Sequence, residues 1–172
     1  TPPAIMVPSS VADMDEAQQV FLLARGLAGV ASGLYPALRL SPEDTAAVVA
    51  AAVRRLVPSF EDGLHDAQRL ATLQQQLSPS WFGRGRVDEV VQRYYAEPTD
   101  VRAWAPTVKQ SVTRVAALLA GDLGACFQSL RAVGDVEGLG PEALDQNVVV
   151  RDLLTFWVSD EAMEVRRLAG IL

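Results

Sequence analysis

Cysteine, histidine, lysine and asparagine each occur once among the 172 residues, at Cys126, His65, Lys109 and Asn147. A lone cysteine cannot form an internal disulfide, which points to a reducing compartment. Structural or catalytic zinc needs three or four nitrogen, sulfur or carboxylate ligands. The chain offers one imidazole and one thiolate, far apart in sequence. Of its 15 basic residues Lys109 is the only lysine, and isoleucine appears only at Ile5 and Ile171. Codon economy in a GC-rich bacterial genome produces that bias, so the expected setting is a bacterial cytoplasm. No run of about 18 uncharged apolar residues is present, so a transmembrane helix is not expected. Thr1 to Met6 lack the basic region and apolar run of a signal peptide. The chain begins at Thr1 rather than Met, and it is read as a fragment or module of a longer chain.

What is present suits one globular domain with a sizeable core. Hydrophobic residues make up 49% and charged residues 21%, far from the composition of a disordered segment. The formal charge of -6 argues against nucleic acid, whose phosphates need a basic face, and against anionic membranes. A protein partner is the remaining class of macromolecule.

The pattern is that of an all-α chain of about eight helices, with at most one short N-terminal strand. Three prolines between Pro2 and Pro8 bar a helix there, and Ile5, Met6 and Val7 suit an edge strand. Asp13 or Asp15 caps a first helix reaching about Ser32, with Val20, Leu23, Leu27, Val30, Ala31 and Leu34 as its buried stripe. Ser41-Pro42-Glu43-Asp44 starts a second helix that stops at Val57 before Pro58. Ser59 to Asp62 repeats the capping pattern and predicts a third helix to about Leu77. Ser78-Pro79 begins a turn carrying Trp81 and Phe82, broken by Gly83 and Gly85. Val87 to Ala96 forms the fourth helix. Thr99 or Asp100 caps a fifth that reaches Ala120, with Pro106 either near its first turn or kinking it. Asp122 caps the sixth, Leu123 to Val133, followed by the loop Gly134–Gly140 and one turn over Pro141–Leu144. The seventh, Gln146 to Val158, is apolar on nearly every side and belongs at the centre of the core. Ser159 caps a last helix, Asp160 to Ala169. No pattern repeats at a period near 34 residues, so a solenoid is not expected.

Searches for chemistry return turns and caps. Gly83-Arg84-Gly85-Arg86 and Gly138-Leu139-Gly140 lack the strand, loop and helix context of a phosphate cradle. His65 reads as a helix-surface histidine and Cys126 as a small buried hydrophobe. The carboxylates near helix starts, Asp13, Asp15 and Glu16 or Glu61, Asp62 and Asp66, serve the helix dipole.

Two stretches carry a resemblance. Leu22-Leu23-Ala24-Arg25-Gly26-Leu27-Ala28-Gly29-Val30-Ala31-Ser32-Gly33 resembles the active helix of gluzincin-type zinc metallopeptidases, in which two histidines four residues apart bind zinc and the glutamate beside the first activates water. Lys109-Gln110-Ser111-Val112-Thr113-Arg114-Val115-Ala116-Ala117-Leu118-Leu119 is similar to the second helix of that family, where a Glu-x-Ser-Ala-Asp-Arg run supplies the third ligand. The resemblance spans roughly Ile5 to Leu130. It implies former ligand positions at Arg25, Gly29 and Lys109, and a former base position at Gly26. Arg25 and Lys109 would repel a divalent cation, and Thr113 replaces an aspartate, while Ser111 and Arg114 are retained. Degenerate domains of this kind are familiar at the C-terminal end of large bacterial tetratricopeptide proteins. There Trp104-Ala105, Gly121-Asp122-Leu123 and the stretch from Val150-Arg151-Asp152-Leu153-Leu154 to Arg166-Arg167 also have counterparts.

The implied function is that of a pseudoenzyme: a noncatalytic interaction or scaffold domain with no cofactor and no metal. Its expected partner surface comprises Trp81, Phe82, Arg84, Arg86, Arg93, Tyr94 and Tyr95, since aromatics and arginines dominate interface hot spots. Trp81 and Phe82 could equally plug the core beneath their loop, and Trp104 and Trp157 are read as core. The alternatives are a hydrolase of unrecognised type, using Asp, Ser or Thr side chains around Arg25 and Arg114, or a helical pocket for an apolar small molecule.

Overall fold

A computed structural model describes residues 5–77, 86–137, 140, 142 and 146–171, with Arg86 described by its backbone alone. Among these residues there are nine α-helices and no strand. The chain is therefore all-α, as its apolar periodicity implies. The helices are α1 (Glu16–Ala31), α2 (Tyr35–Arg39), α3 (Pro42–Leu56), α4 (Ala67–Gln76), α5 (Arg86–Ala96), α6 (Val101–Ala120), α7 (Leu123–Ala132), α8 (Val148–Trp157) and α9 (Asp160–Ala169). Trp81, Phe82, Arg84 and the Ser78–Gly85 turn lie outside the described residues, as does most of the Pro141–Leu144 turn.

Internal contacts gather into two compact units. One comprises Thr1–Tyr35 and Val108–Leu172, the other Pro36–Thr107.

In the first unit, Asp15 caps α1. Its carboxylate accepts from the Gln18 amide at 2.9 Å, and the Gln18 side chain accepts from the Asp15 amide at 3.2 Å. This reciprocal capping box satisfies two backbone donors at once. Ser159 caps α9 and Asp122 caps α7, both as their sequences imply. Phe21 and Ala24 of α1, Ala116 and Ala117 of α6, Leu130 of α7 and Leu153 of α8 meet in one core. Burying a leucine of this kind stabilises by about 1.5–3 kcal/mol.

Four expectations for this unit need correction. No strand forms at Ile5–Val7; those residues are exposed and lead into a 3-10 turn, Ser9–Asp13. The stripe on α1 is rotated, because Phe21, Ala24 and Gly29 are buried while Leu27 is 57% exposed. From Val20 to Val30 the helix has few polar positions, so periodicity marks its buried face poorly. The small residues Ala24 and Gly29, which admit close neighbours, mark it better. The apolar run of α8 is not central either: Val150, Leu153 and Phe156 are buried, whereas Val148 and Val158 face solvent. Asn147, whose side chain accepts from the amides of Val149 and Val150, sets the start of α8 two residues later than Gln146.

In the second unit, Ser41 accepts from the Asp44 amide at 3.0 Å and Pro42 follows at the first helical position, so α3 begins where its sequence says. Ala50 and Ala51 line the face of α3 that packs on α4. Their small side chains let Leu70 of α4 reach full burial. The third helix of the sequence reading starts later than its pattern suggests, at Ala67 with Asp66 as cap. Gly63 explains the delay. It takes φ +68°, a left-handed conformation that ends any helix begun at Ser59. Asp62 consequently serves a turn, its Oδ1 accepting from the amides of Leu64 and His65 at 3.0 Å each. Pro106 lies within α6, and Trp104, read as core, is 38% exposed.

Candidate functional site

The ligand and base positions that the resemblance implies lie on described helices of the first unit. Arg25, Gly26 and Gly29 sit on α1, and Lys109 on α6. Phe21 and Ala24 of α1 share a core with Ala116 and Ala117 of α6, so the stretches resembling the two metal-binding helices belong to one packed assembly. Arg25 is engaged: its Nη1 lies 2.6 Å from Asp135 Oδ2, and 18% of the side chain is accessible. Gly29 is buried and Lys109 is half-buried. Gly26 faces the Ile5 side chain, whose Cδ1 lies 3.5 Å from where a Cβ would stand. The neighbour of this glycine is therefore a side chain rather than a second backbone. Thr113 is buried. Among the described residues, no group of three or more His, Cys, Asp or Glu side chains is placed to hold a metal ion.

Arg114, which the resemblance matches to an arginine of that family, closes on an aspartate of α8. Its Nε donates to Asp152 Oδ2 at 3.0 Å and its Nη2 to Oδ1 at 2.5 Å. These paired hydrogen bonds raise the guanidinium pKa above its ordinary value, against the opposing effect of burial. Arg25 and Arg114 are thus each paired with an aspartate, Asp135 and Asp152. Cys126 is fully buried on α7, and burial, with the nearby Asp122 charge, pushes its thiol up to about 12. It is no nucleophile at neutral pH.

The second unit holds an open cleft of about 400 Å³. Phe60, Leu64, Tyr94 and Val101 supply apolar wall, and Glu61, Asp62 and Asp100 supply charge, with Arg102 as the counter-charge. Asp100 caps α6, its Oδ1 accepting from the amides of Arg102 and Ala103 at 3.0 and 3.1 Å. The Tyr94 hydroxyl donates to the Thr99 carbonyl at 3.3 Å. Burial and then the charges of Asp62 and Asp100 raise the Tyr94 pKa. Asp62 Oδ2 lies 2.5 Å from His65 Nδ1. His65 is thus a largely covered turn residue, not a helix-surface one. Burial alone would push the Asp62 carboxyl up, but the hydrogen bonds from the His65 ring and from two amides together hold it below the usual aspartate value.

Of the expected partner surface, Arg93, Tyr94 and Tyr95 lie on α5, which Arg86 begins. Arg93 is exposed, Tyr94 lines the cleft, and Tyr95 meets Phe60 edge to face with ring centroids 6.1 Å apart. The sequence reading missed Phe60, Glu61, Asp62 and Asp100 as parts of one site. It assigned the acids to helix caps and had no signal that the Phe60 turn and the start of α6 would meet at α5. Only Gly63, inside the expected third helix, marked Phe60–His65 as loop.

No described helix is long and apolar enough to cross a membrane. In comparisons with known proteins, the chain matches no protein family, no curated protein and no solved structure.

Proposed function

We propose that this chain is a noncatalytic protein-interaction module whose first unit keeps the helix pair of a decayed metallopeptidase. The observation that carries the reading is the Arg25–Asp135 ion pair at 2.6 Å. At the first former ligand position stands a cation that already has its counter-charge. An arginine lends no lone pair to a metal, and its positive charge opposes a divalent ion nearby. Gly29 and Lys109 offer no better ligand at neutral pH. The bidentate closure of Arg114 on Asp152 supports the same reading, since a retained family residue is here given to a structural ion pair. Partner contact is assigned to the exposed end of α5 with Arg93 and Tyr95 and to the cleft beside it, where aromatic rings lie next to charge. The groove beside Ile5, Met6 and Leu23 has a volume of about 190 Å³, below the roughly 300 Å³ at which small-molecule sites begin, so this groove lends the apolar-ligand alternative no support.

Metal analysis tests this reading. Protein purified without chelator is expected to hold no stoichiometric zinc, and one tightly held zinc per chain overturns it.

A further inference from the structure

We propose that the cleft of the second unit takes a cationic side chain on an apolar stem, above all an arginine, from a basic segment of a protein partner. The proposal rests on the module reading and names the chemistry of its partner. Three carboxylates and one guanidinium line the cleft, and they differ in what they have left to give. Asp62 has both oxygens engaged, by two amides and by His65, and contributes only charge. Asp100 uses Oδ1 for its amides and keeps Oδ2. Glu61 is exposed, and no described group hydrogen-bonds or pairs with it. Two carboxylates therefore keep acceptor capacity beside the Phe60 and Tyr94 rings.

Three classes of occupant can be compared. An anion would meet three like charges. A neutral apolar group would fit the rings but strip water from Glu61 without replacing it. A guanidinium on a hydrocarbon stem meets both demands, since it can fork onto a carboxylate and lie over an aromatic face while its stem covers Leu64 and Val101. Leu64, 57% exposed beside the cleft, offers apolar surface for such a stem. The formal charge of -6 adds attraction for a basic partner at a distance.

The test is a titration of the isotope-labelled chain, followed by amide chemical shifts, with three probes. These are acetyl-Gly-Arg-Gly-amide, its neutral citrulline counterpart, and free butylguanidinium. The arginine peptide is expected to shift the amides of Phe60–Leu64 and Asp100–Arg102. The citrulline peptide should bind about threefold to tenfold more weakly. Glu61→Gln should weaken the arginine peptide. Arg102→Gln should tighten it, because a competing cation is removed; a merely structural change would not reverse sign in this way. Equal affinity for arginine and citrulline, shifts elsewhere only, or no effect of either substitution overturns the assignment. Butylguanidinium binding more tightly than the peptide overturns the partner segment in favour of a free small cation. A cleft indifferent to cations in a zinc-free chain counts against this assignment and leaves the module reading standing, whereas stoichiometric zinc counts against the module reading itself.

Discussion

Arg114 grips Asp152 through two parallel hydrogen bonds, Nε to Oδ2 at 3.0 Å and Nη2 to Oδ1 at 2.5 Å, and its guanidinium also lies 5.1 Å from the centroid of the Phe156 ring. One side chain thus ties α6 to α8 by a planar fork and by a cation–π contact. A lysine keeps the charge but has no fork. Arg114→Lys is expected to lower stability by about 1 kcal/mol, or roughly 2–4 °C in Tm for a chain of this size. Asp152→Asn should do the same, and the double variant should lose less than the sum. Thermal unfolding followed by circular dichroism measures all three, and strictly additive losses contradict a direct pairing.

Cys126 should be inert in the native protein. Its thiol is fully buried and pushed up to about 12, so almost none is thiolate at neutral pH. Reaction with a disulfide reagent is expected to await unfolding, with one thiol per chain appearing in denaturant. Immediate labelling without denaturant contradicts the burial assigned to α7.

Acid should loosen the second unit through Asp62. Burial raises this carboxyl, but hydrogen bonds from the His65 ring and from the amides of His65 and Leu64 bring it net below the usual aspartate value. A depressed folded pKa contributes stability that is fully present above the unfolded value, and it is lost as pH falls through the folded value. The stability difference between wild type and Asp62→Asn should hold steady near neutrality and shrink below about pH 4. Urea unfolding at several pH values reads this out, and a difference that grows on acidification gives the wrong sign.

Gly26 and Gly33 should respond oppositely to alanine. Gly26 lies within α1 with room for a methyl 3.5 Å from Ile5, so Gly26→Ala should stabilise by about 0.5–1 kcal/mol through helix propensity. Gly33 holds φ +71° where the Leu34 amide returns to the Gly29 carbonyl at 3.0 Å. This closure needs a left-handed residue, and Gly33→Ala should destabilise. Denaturant midpoints of the two variants decide it.

Helix ends were the most legible features of this sequence, because caps are local chemistry. Asp15, Ser41, Asp122 and Ser159 each act within three residues of themselves; the last three stand where the sequence placed them, and Asp15 is the one of the two candidates, Asp13 and Asp15, that caps α1. Faces were less legible. Along α1 few polar residues interrupt the apolar ones, so the burial of Phe21 over Leu27 was decided by packing, chiefly against α7. The third helix misled because Ser59 to Asp62 has the composition of a cap, yet Gly63 diverts the backbone. The cleft lay beyond sequence reading for a related reason. Phe60 stands more than thirty positions before Tyr94 and Asp100, and each of the three also has an ordinary structural duty.

The proposed decay of a zinc site on α1 and α6 places lost ligands at Arg25, Gly29 and Lys109. Zinc stoichiometry of wild type beside a restored variant, Arg25→His with Gly29→His and Lys109→Glu, tests it most directly, with circular dichroism confirming that both remain helical. The expected result is no bound zinc in wild type and one zinc per chain in a folded restored variant. Zinc in wild type, or none in a restored variant that stays folded, contradicts it.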